Sequence, residues 1–372
     1  MIAGIVESLR RRLFDIYRKT ETKTHPLRSV LWECTLRCNL NCGHCGSDCK
    51  SSSETPDADA LLFFSALDDI ARHFDPASVM IGITGGEPLM RSDLPSIISE
   101  IRSRGFPAGM VSNGFALSPA KFVELVNSGL NSLTISMDGL EEEHNALRNH
   151  PKSFDNAMMA IRNAAKFVSQ SQGRTPFDFD VVTCVNPDNF GSLPEIKRML
   201  CEAGVRNWRL FSVFPSGRAG SGKYELSRDE YRGMLDFISD ARSSGGMNVS
   251  YSCEGWLGDY EMKTRGSYYF CRAGITNAGI FADGSVGGCI SARSNDFIIG
   301  NLHDKPFMRI WNEDFGIFRD RSWTKRGMCA ECGEYRHCAG NGIHLYSSLR
   351  CGPSRCSLPG KFGVCDSGAG SH

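Results

Sequence analysis

Apolar residues Ile5, Leu9, Leu13 and Ile16 recur at helical spacing, which predicts an amphipathic N-terminal helix packed through that row against the body of the protein. After Pro26 the pattern becomes an alternation of short β-rich runs and longer helical runs. Strands are predicted near 29–33, 78–84, 108–112, 132–136, 178–184 and 207–213, and helices over 59–74, 94–104, 118–128, 153–168, 192–203 and 227–244. Six βα units demand a parallel sheet with right-handed crossovers, yet are too few to close an eight-stranded barrel comfortably. The fold class is therefore α/β, a partial (β/α)6 TIM-like barrel. Beyond about residue 250 the helical rhythm fades into glycines, aromatics and cysteines, which predicts a second, small cysteine-rich domain. The divisions that follow are 1–27 for the helical extension, 28–250 for the barrel and 251–372 for the cysteine-rich part.

Length and charge narrow the class of partner. The chain's 372 residues exceed the size at which one core stops growing, in keeping with one large and one smaller domain. Basic and acidic residues balance at 42 each, so bulk charge calls for neither nucleic acid nor a membrane surface. Cysteine is the outlier, with sixteen residues clustered toward both ends. Disulfides need an oxidising compartment, but Met1 to Tyr17 holds no uninterrupted apolar run and carries Arg10, Arg11 and Arg12. With no signal peptide or apolar stretch of membrane-spanning length, the thiols are expected to be reduced, cytoplasmic and bound to metal.

In parallel α/β sheets chemistry gathers at the C-terminal ends of the strands, and the unusual residues of this chain fall there. The first strand leads to Cys34 and then to Cys38, Cys42 and Cys45, a C-x3-C-x2-C run that a single loop can turn toward one point. Three thiolates on a four-iron cube leave one iron open to bind a cofactor directly. Zinc, with Cys34 as a fourth thiolate, is the alternative for this spacing. The second strand leads to Gly85-Gly86-Glu87-Pro88, the third to Ser112-Asn113-Gly114, the fourth to Ser136-Met137-Asp138-Gly139 and the sixth to Pro215-Ser216-Gly217-Arg218. Cys184 and Cys201 read as ordinary buried thiols, while Cys34 and Cys49 flank the triad without fitting it.

The spacing of Cys38, Cys42 and Cys45, the Gly85-Gly86-Glu87-Pro88 turn and the order of the later motifs resemble the radical S-adenosylmethionine enzymes. The resemblance implies that the open iron chelates the amino and carboxylate groups of the methionine moiety. An electron from the reduced cluster then breaks the carbon–sulfur bond to give a 5′-deoxyadenosyl radical. It also implies that Gly85, Gly86, Glu87 and Pro88 line the methionine end, that Ser112, Asn113 and Ser136 sit near the ribose, and that Arg148 binds the carboxylate. Each has a plainer reading: a tight turn for the glycines, turn or cap residues for Ser112, Asn113 and Ser136, and surface solvation for Arg148.

The C-terminal array runs Cys271-x12-Gly-x4-Cys289, then Cys329-x2-Cys332-x5-Cys338, then Cys351, Cys356 and Cys365. Paired C-x2-C with further cysteines is a strong metal signal, and a zinc knuckle is the alternative to iron. From about 271 to 365 the pattern resembles the SPASM extension, an auxiliary iron-sulfur domain of radical enzymes that mature peptides and proteins. The pattern expects a cysteine four residues after Cys338, and this chain has Gly342. The resemblance implies Cys329, Cys332, Cys338 and Cys356 for a second auxiliary cluster, and Cys271, Cys289, Cys253 and Cys351 for the first. An incompletely ligated cluster or His344 as a substitute ligand remains open, and Cys365 is left without a role.

The function implied is reductive cleavage of S-adenosylmethionine and modification of a peptide or protein side chain by oxidation or crosslinking. One or two auxiliary clusters would assist, and a flavodoxin or ferredoxin would serve as reductant. Sulfatase-maturase-like oxidation, small-molecule radical chemistry and a non-catalytic electron carrier are the rivals. About 28 residues precede the first strand, too few for an independent peptide-binding domain, so any leader-binding partner is expected to be separate.

Overall fold

The computed structural model describes residues 2–171, 176–252 and 255–364. Its first helix, α1 (Ile2–Thr24), precedes a row of parallel strands laid side by side in sequence order. These are β1 (Ser29–Glu33), β2 (Met80–Thr84), β3 (Ala108–Ser112), β4 (Leu130–Ser136), β5 (Asp178–Val185), β6 (Asn207–Ser212) and β7 (Asn248–Tyr251). Between them run α2 (Ala60–Ala71), α3 (Leu94–Ser103), α4 (Pro119–Asn127), the pair α5 (Glu141–Arg148) and α6 (Ser153–Ser171), α7 (Leu193–Glu202) and α8 (Arg228–Ser243). The six predicted βα units are all present, and β7 adds a seventh parallel strand.

Local chemistry sets the helix starts. Asp59 accepts from the N–H groups of Leu61 and Leu62 at the head of α2, Ser118 accepts from Lys121 at α4, and Ser227 with Glu230 forms a capping box on α8. β-Branched and aromatic side chains fill the space between sheet and helices: Val30, Ile81, Ile83, Leu133, Ile135, Val181 and Trp208 are fully buried. Trp32 of β1 stacks on Phe63 of α2 with ring centroids 4.1 Å apart.

The sheet continues past β1 on its other side. There β8 (Asn277–Ile280) pairs parallel to β1, followed by antiparallel β9 (Ser285–Gly287) and β10 (Ile298–Asn301). The C-terminal region thus extends the barrel sheet, and the ten strands end in two edges, β7 and β10. Residues from the C-terminal ends of β2 to β6 line one cavity together with the β1 loop, so the sheet is curved around that end.

α1 differs from expectation. Ile5, Leu9, Leu13 and Ile16 are all more than half exposed, and the helix docks through the opposite face. Phe14 packs with Trp256, Tyr268 and Phe270, Arg11 bonds Asp259 at 2.6 Å, and Arg18 donates to the His337 carbonyl at 2.8 Å. Periodicity located the apolar row, but a cluster of aromatics and charge partners distant in sequence decides which face is covered. Among the described residues no helix is long and apolar enough to cross a membrane.

Candidate active site and iron-sulfur ligands

β2 ends at Thr84 and turns through Gly85 to Glu87. Gly85 has φ +140°, and a Cβ there would stand 2.2 Å from the Thr35 carbonyl oxygen; at Gly86 it would stand 2.3 Å from the Arg37 oxygen. Without side chains, the Gly86 N–H reaches Thr35 at 2.7 Å and the Glu87 N–H reaches Arg37 at 2.9 Å. The turn is thereby bonded to the loop that carries the cysteine triad. Both glycines serve the close approach that the turn reading required.

Glu87 is fully buried. Its Oε1 accepts from the Ser112 hydroxyl and its Oε2 from the Asn113 N–H, each at 2.8 Å. Burial pushes its carboxyl up, against the lowering effect of the Asn113 and Ser112 bonds and of Arg148. Pro88 opens a single helical turn that Glu87 caps through the Leu89 N–H, and it does not line the cavity. Ser112 therefore supports Glu87, and Asn113 reaches both ways: its Nδ2 donates to Asn39 Oδ1 at 2.8 Å and faces the Cys38 sulfur at 3.8 Å.

Cys38, Cys42 and Cys45 line the same cavity, of about 410 Å³, within the range of ligand sites. Gly85, Gly86, Glu87, Ser112, Asn113, Ser136 and Arg148 line it too. Burial pushes the Cys38 thiol up to about 11 and raises Cys42, where Arg148 opposes the effect. A bond from Cys49 holds the Cys45 thiol down to about 5. Cys49, unassigned from sequence, thus belongs to the same buried cluster. Cys34 lies at the end of β1, its N–H bonded to the Thr84 carbonyl, and does not line the cavity.

Arg148 is buried, with Nε bonded to Asp138 Oδ2 at 2.7 Å and Nη1 facing the Cys42 sulfur at 3.7 Å. It is not a surface side chain. Burial raises the Asp138 carboxyl, but Arg148, then His44 and His144, outweigh it and hold the group below the ordinary carboxylate range. His44 is kept neutral by burial, its pKa pushed down to about 4. His44 and Cys184 face Asp138 from the triad loop and from β5, and both line the cavity. Cys184 is thus a wall residue, not an ordinary core thiol, and Cys201 is exposed on α7.

Two arginines outside the predicted set fasten this end. Arg218 donates from Nε to the Cys42 carbonyl at 2.6 Å and from Nη1 to the Cys49 carbonyl at 2.9 Å, and the tight Gly217 turn before it approaches Cys45. Arg293, beyond β9, pairs with buried Glu33 and donates to Ser47 at 2.8 Å. Their partners lie more than 160 residues away, which local sequence pattern does not reveal.

The C-terminal cysteines form two groups. Cys329, Cys332, Cys338 and Cys356 line one small cavity, where burial pushes Cys329 to about 11 and Cys338 to about 12. Burial raises the Cys289 thiol and the neighbouring Cys271 sulfur adds to the rise, so the two lie close together, and Cys289 faces the main cavity. Cys351 is exposed and bonded to Ser348, with Arg326 and Asp296 nearby; it does not join Cys271 and Cys289 as expected. Cys253 and Cys365 fall outside the described residues.

These groups fit iron-sulfur cubes better than single ions. Thiolates sharing one zinc at ~2.3 Å stand about 3.8 Å apart. Among the described residues only His44, Asp138 and Cys184 bring three donor atoms within 4.8 Å of one another; neither Cys38, Cys42 and Cys45 nor the Cys329 group does so. Comparison with known proteins agrees. The Radical SAM superfamily pattern matches residues 32–175, and the SPASM iron-sulfur cluster-binding pattern matches 271–333. The chain is a radical S-adenosylmethionine enzyme with a SPASM domain. Its cofactors are S-adenosylmethionine, a 4Fe-4S cluster and auxiliary iron-sulfur clusters.

This radical S-adenosylmethionine enzyme is 26% identical over 357 residues to the AdoMet-dependent heme synthase of Nitratidesulfovibrio vulgaris, covering 89% of this chain and 91% of the relative. It is 28% identical over 318 residues to the mycofactocin maturase MftC of Mycolicibacterium smegmatis, covering 84% and 76%. In fold it is similar to Streptococcus suis SuiB bound to S-adenosylmethionine, with TM-score 0.65, 18% identity and coverage of 93% and 80%. It is likewise similar to anSMEcpe with bound AdoMet, with TM-score 0.65, 17% identity and coverage of 87% and 91%.

Proposed function

We propose that the enzyme abstracts a hydrogen atom from a side chain of a peptide or protein, and that the resulting substrate radical gives up an electron to an auxiliary cluster and a proton to solvent. One observation carries this reading: Cys289 lines the same cavity as Cys38, Cys42 and Cys45, so a substrate held in it is open to both centres. Bound S-adenosylmethionine, cleaved reductively at the first cluster, supplies the hydrogen-abstracting species. The chain's residues do the rest. Cys38, Cys42 and Cys45 hold the first cluster. Glu87, fixed by Ser112 and Asn113, accepts the ammonium of the methionine moiety, with Gly85 and Gly86 beside it and Ser136 nearer the ribose. Arg148 keeps its bond to Asp138 and presents Nη1 toward the carboxylate end. Cys329, Cys332, Cys338 and Cys356 hold the second auxiliary cluster, and Cys271, Cys289 and Cys253 contribute to the first. A flavodoxin or ferredoxin in the cytoplasm supplies electrons.

MftC, a maturase by name, and SuiB, also solved with its precursor peptide SuiA, support a peptide substrate. A tetrapyrrole is the second reading, favoured by the heme synthases' coverage of 87–89% of this chain at 26% identity. The deciding experiment is anaerobic turnover with S-adenosylmethionine and dithionite, offering peptides encoded beside the gene or a panel of tetrapyrroles with and without iron. A peptide that loses two hydrogens with release of 5′-deoxyadenosine upholds the proposal. Turnover of the tetrapyrrole alone overturns it in favour of the second reading.

A further inference from the structure

Among the described residues, Cys271 and Cys289 are the cysteines left for the first auxiliary cluster, since Cys351, also expected there, turns to solvent. The backbone beside them is that of Gly342 and Ile343, since the Ile343 N–H points at the Cys271 sulfur across 3.5 Å. Gly342 has φ −73° and ψ 139°, ordinary values that any residue adopts. Its lack of a side chain therefore answers a need for space. That space is taken by His344: a Cβ on Gly342 would stand 2.6 Å from His344 Cε1 and 2.9 Å from Nδ1. The imidazole therefore occupies the place of a side chain at 342, one residue before the Ile343 N–H that meets the Cys271 sulfur.

The local fold holds the ring in this place. Residues Ile343–Leu345 form a single helical turn whose flanking side chains, Ile343 and Leu345, are buried, while His344 between them is half-buried and lines the main cavity, as Cys289 does. Phe214 packs against the ring at 4.8 Å between centroids. We propose that His344 is a nitrogen ligand of the first auxiliary cluster, with Cys271 and Cys289 as thiolate ligands and the glycine at 342 as the residue that admits it. Neutral imidazole is an established replacement for thiolate on iron-sulfur iron, and it raises the reduction potential. A cluster so ligated is a better electron acceptor beside the main cavity, which deepens the function proposed above and rests on it.

The test needs no substrate. The full-length Cys38→Ala/Cys42→Ala/Cys45→Ala variant, reconstituted with iron and sulfide under anaerobic conditions, retains only auxiliary clusters. Pulsed EPR of the reduced protein should show a nitrogen hyperfine coupling that changes on labelling with 15N-histidine and vanishes in His344→Ala. Adding Gly342→Cys to His344→Ala should restore the iron content and move a midpoint potential to more negative values. A nitrogen signal indifferent to the histidine label, or none, overturns the assignment. Where His344→Ala folds poorly, His344→Gln serves in its place, and a histidine-label-dependent signal that persists in it overturns the assignment. Absence of peptide turnover leaves these readouts untouched, so the two proposals fail separately.

Discussion

The Arg148 guanidinium is bonded through Nε to Asp138 Oδ2 at 2.7 Å, joining α5 to the end of β4 inside the cavity wall. Both groups are buried, so removing either one leaves an uncompensated charge. Asp138→Asn and Arg148→Met are each expected to lower the stability of the metal-free protein by roughly 3–5 kcal/mol in urea unfolding, with the double variant recovering part of the loss. The Asp138 carboxyl is held below its ordinary value of 3.8, so its contribution is present above that pH and is lost as pH falls through the folded value. The unfolding midpoint should therefore decline more steeply in wild type than in Asp138→Asn as pH is taken below about 4.

Glu87 meets Ser112 and Asn113 as donors, so Glu87→Gln sets an amide NH2 against one of them and removes the charge proposed to meet the ammonium. A hydrogen bond to a charged group contributes about 1.5–3 kcal/mol. Affinity for S-adenosylmethionine, followed by anaerobic titration calorimetry, should drop by roughly 10- to 100-fold with iron content unchanged. Unaltered affinity would remove Glu87 from the site.

Gly86→Ala tests the bond between the turn and the cysteine loop. The added methyl would meet the Arg37 carbonyl at 2.3 Å, and backbone, unlike a flexible side chain, has little room to yield. A loss of about 1–3 kcal/mol is expected from such overpacking, together with reduced loading of the first cluster as read by iron analysis.

The sequence made the barrel and the triad legible because both are written locally. β1 to β6 announce themselves by period and composition, and Cys38, Cys42 and Cys45 share one short loop. The glycines at 85 and 86 were legible as a turn, although their contacts with Thr35 and Arg37 were not. What escaped depends on long-range pairing. Arg218 reaches Cys42 across 176 residues, Arg293 reaches Glu33 across 260, and β8 returns to lie beside β1. Cys184 read as a core thiol because no local pattern shows that its strand end faces His44 and Asp138.

α1 carries the same lesson into a measurement. Its apolar row was assigned to the core, yet Phe14, one position beyond Leu13, is the residue that docks. Leu9→Ser and Leu13→Ser should each change stability by less than about 0.5 kcal/mol, whereas Phe14→Ala should cost about 3 kcal/mol. Chemical denaturation of the three variants distinguishes the two faces directly.

The most direct measurement of the central claim, that Cys38, Cys42 and Cys45 hold the cluster at which S-adenosylmethionine is cleaved, is 5′-deoxyadenosine formation by anaerobically reconstituted protein with dithionite. Wild type should form it, and the Cys38→Ala/Cys42→Ala/Cys45→Ala variant should form none while keeping its auxiliary clusters, with about four fewer irons per chain. Formation of 5′-deoxyadenosine by the variant, or an iron content equal to wild type, would contradict the account.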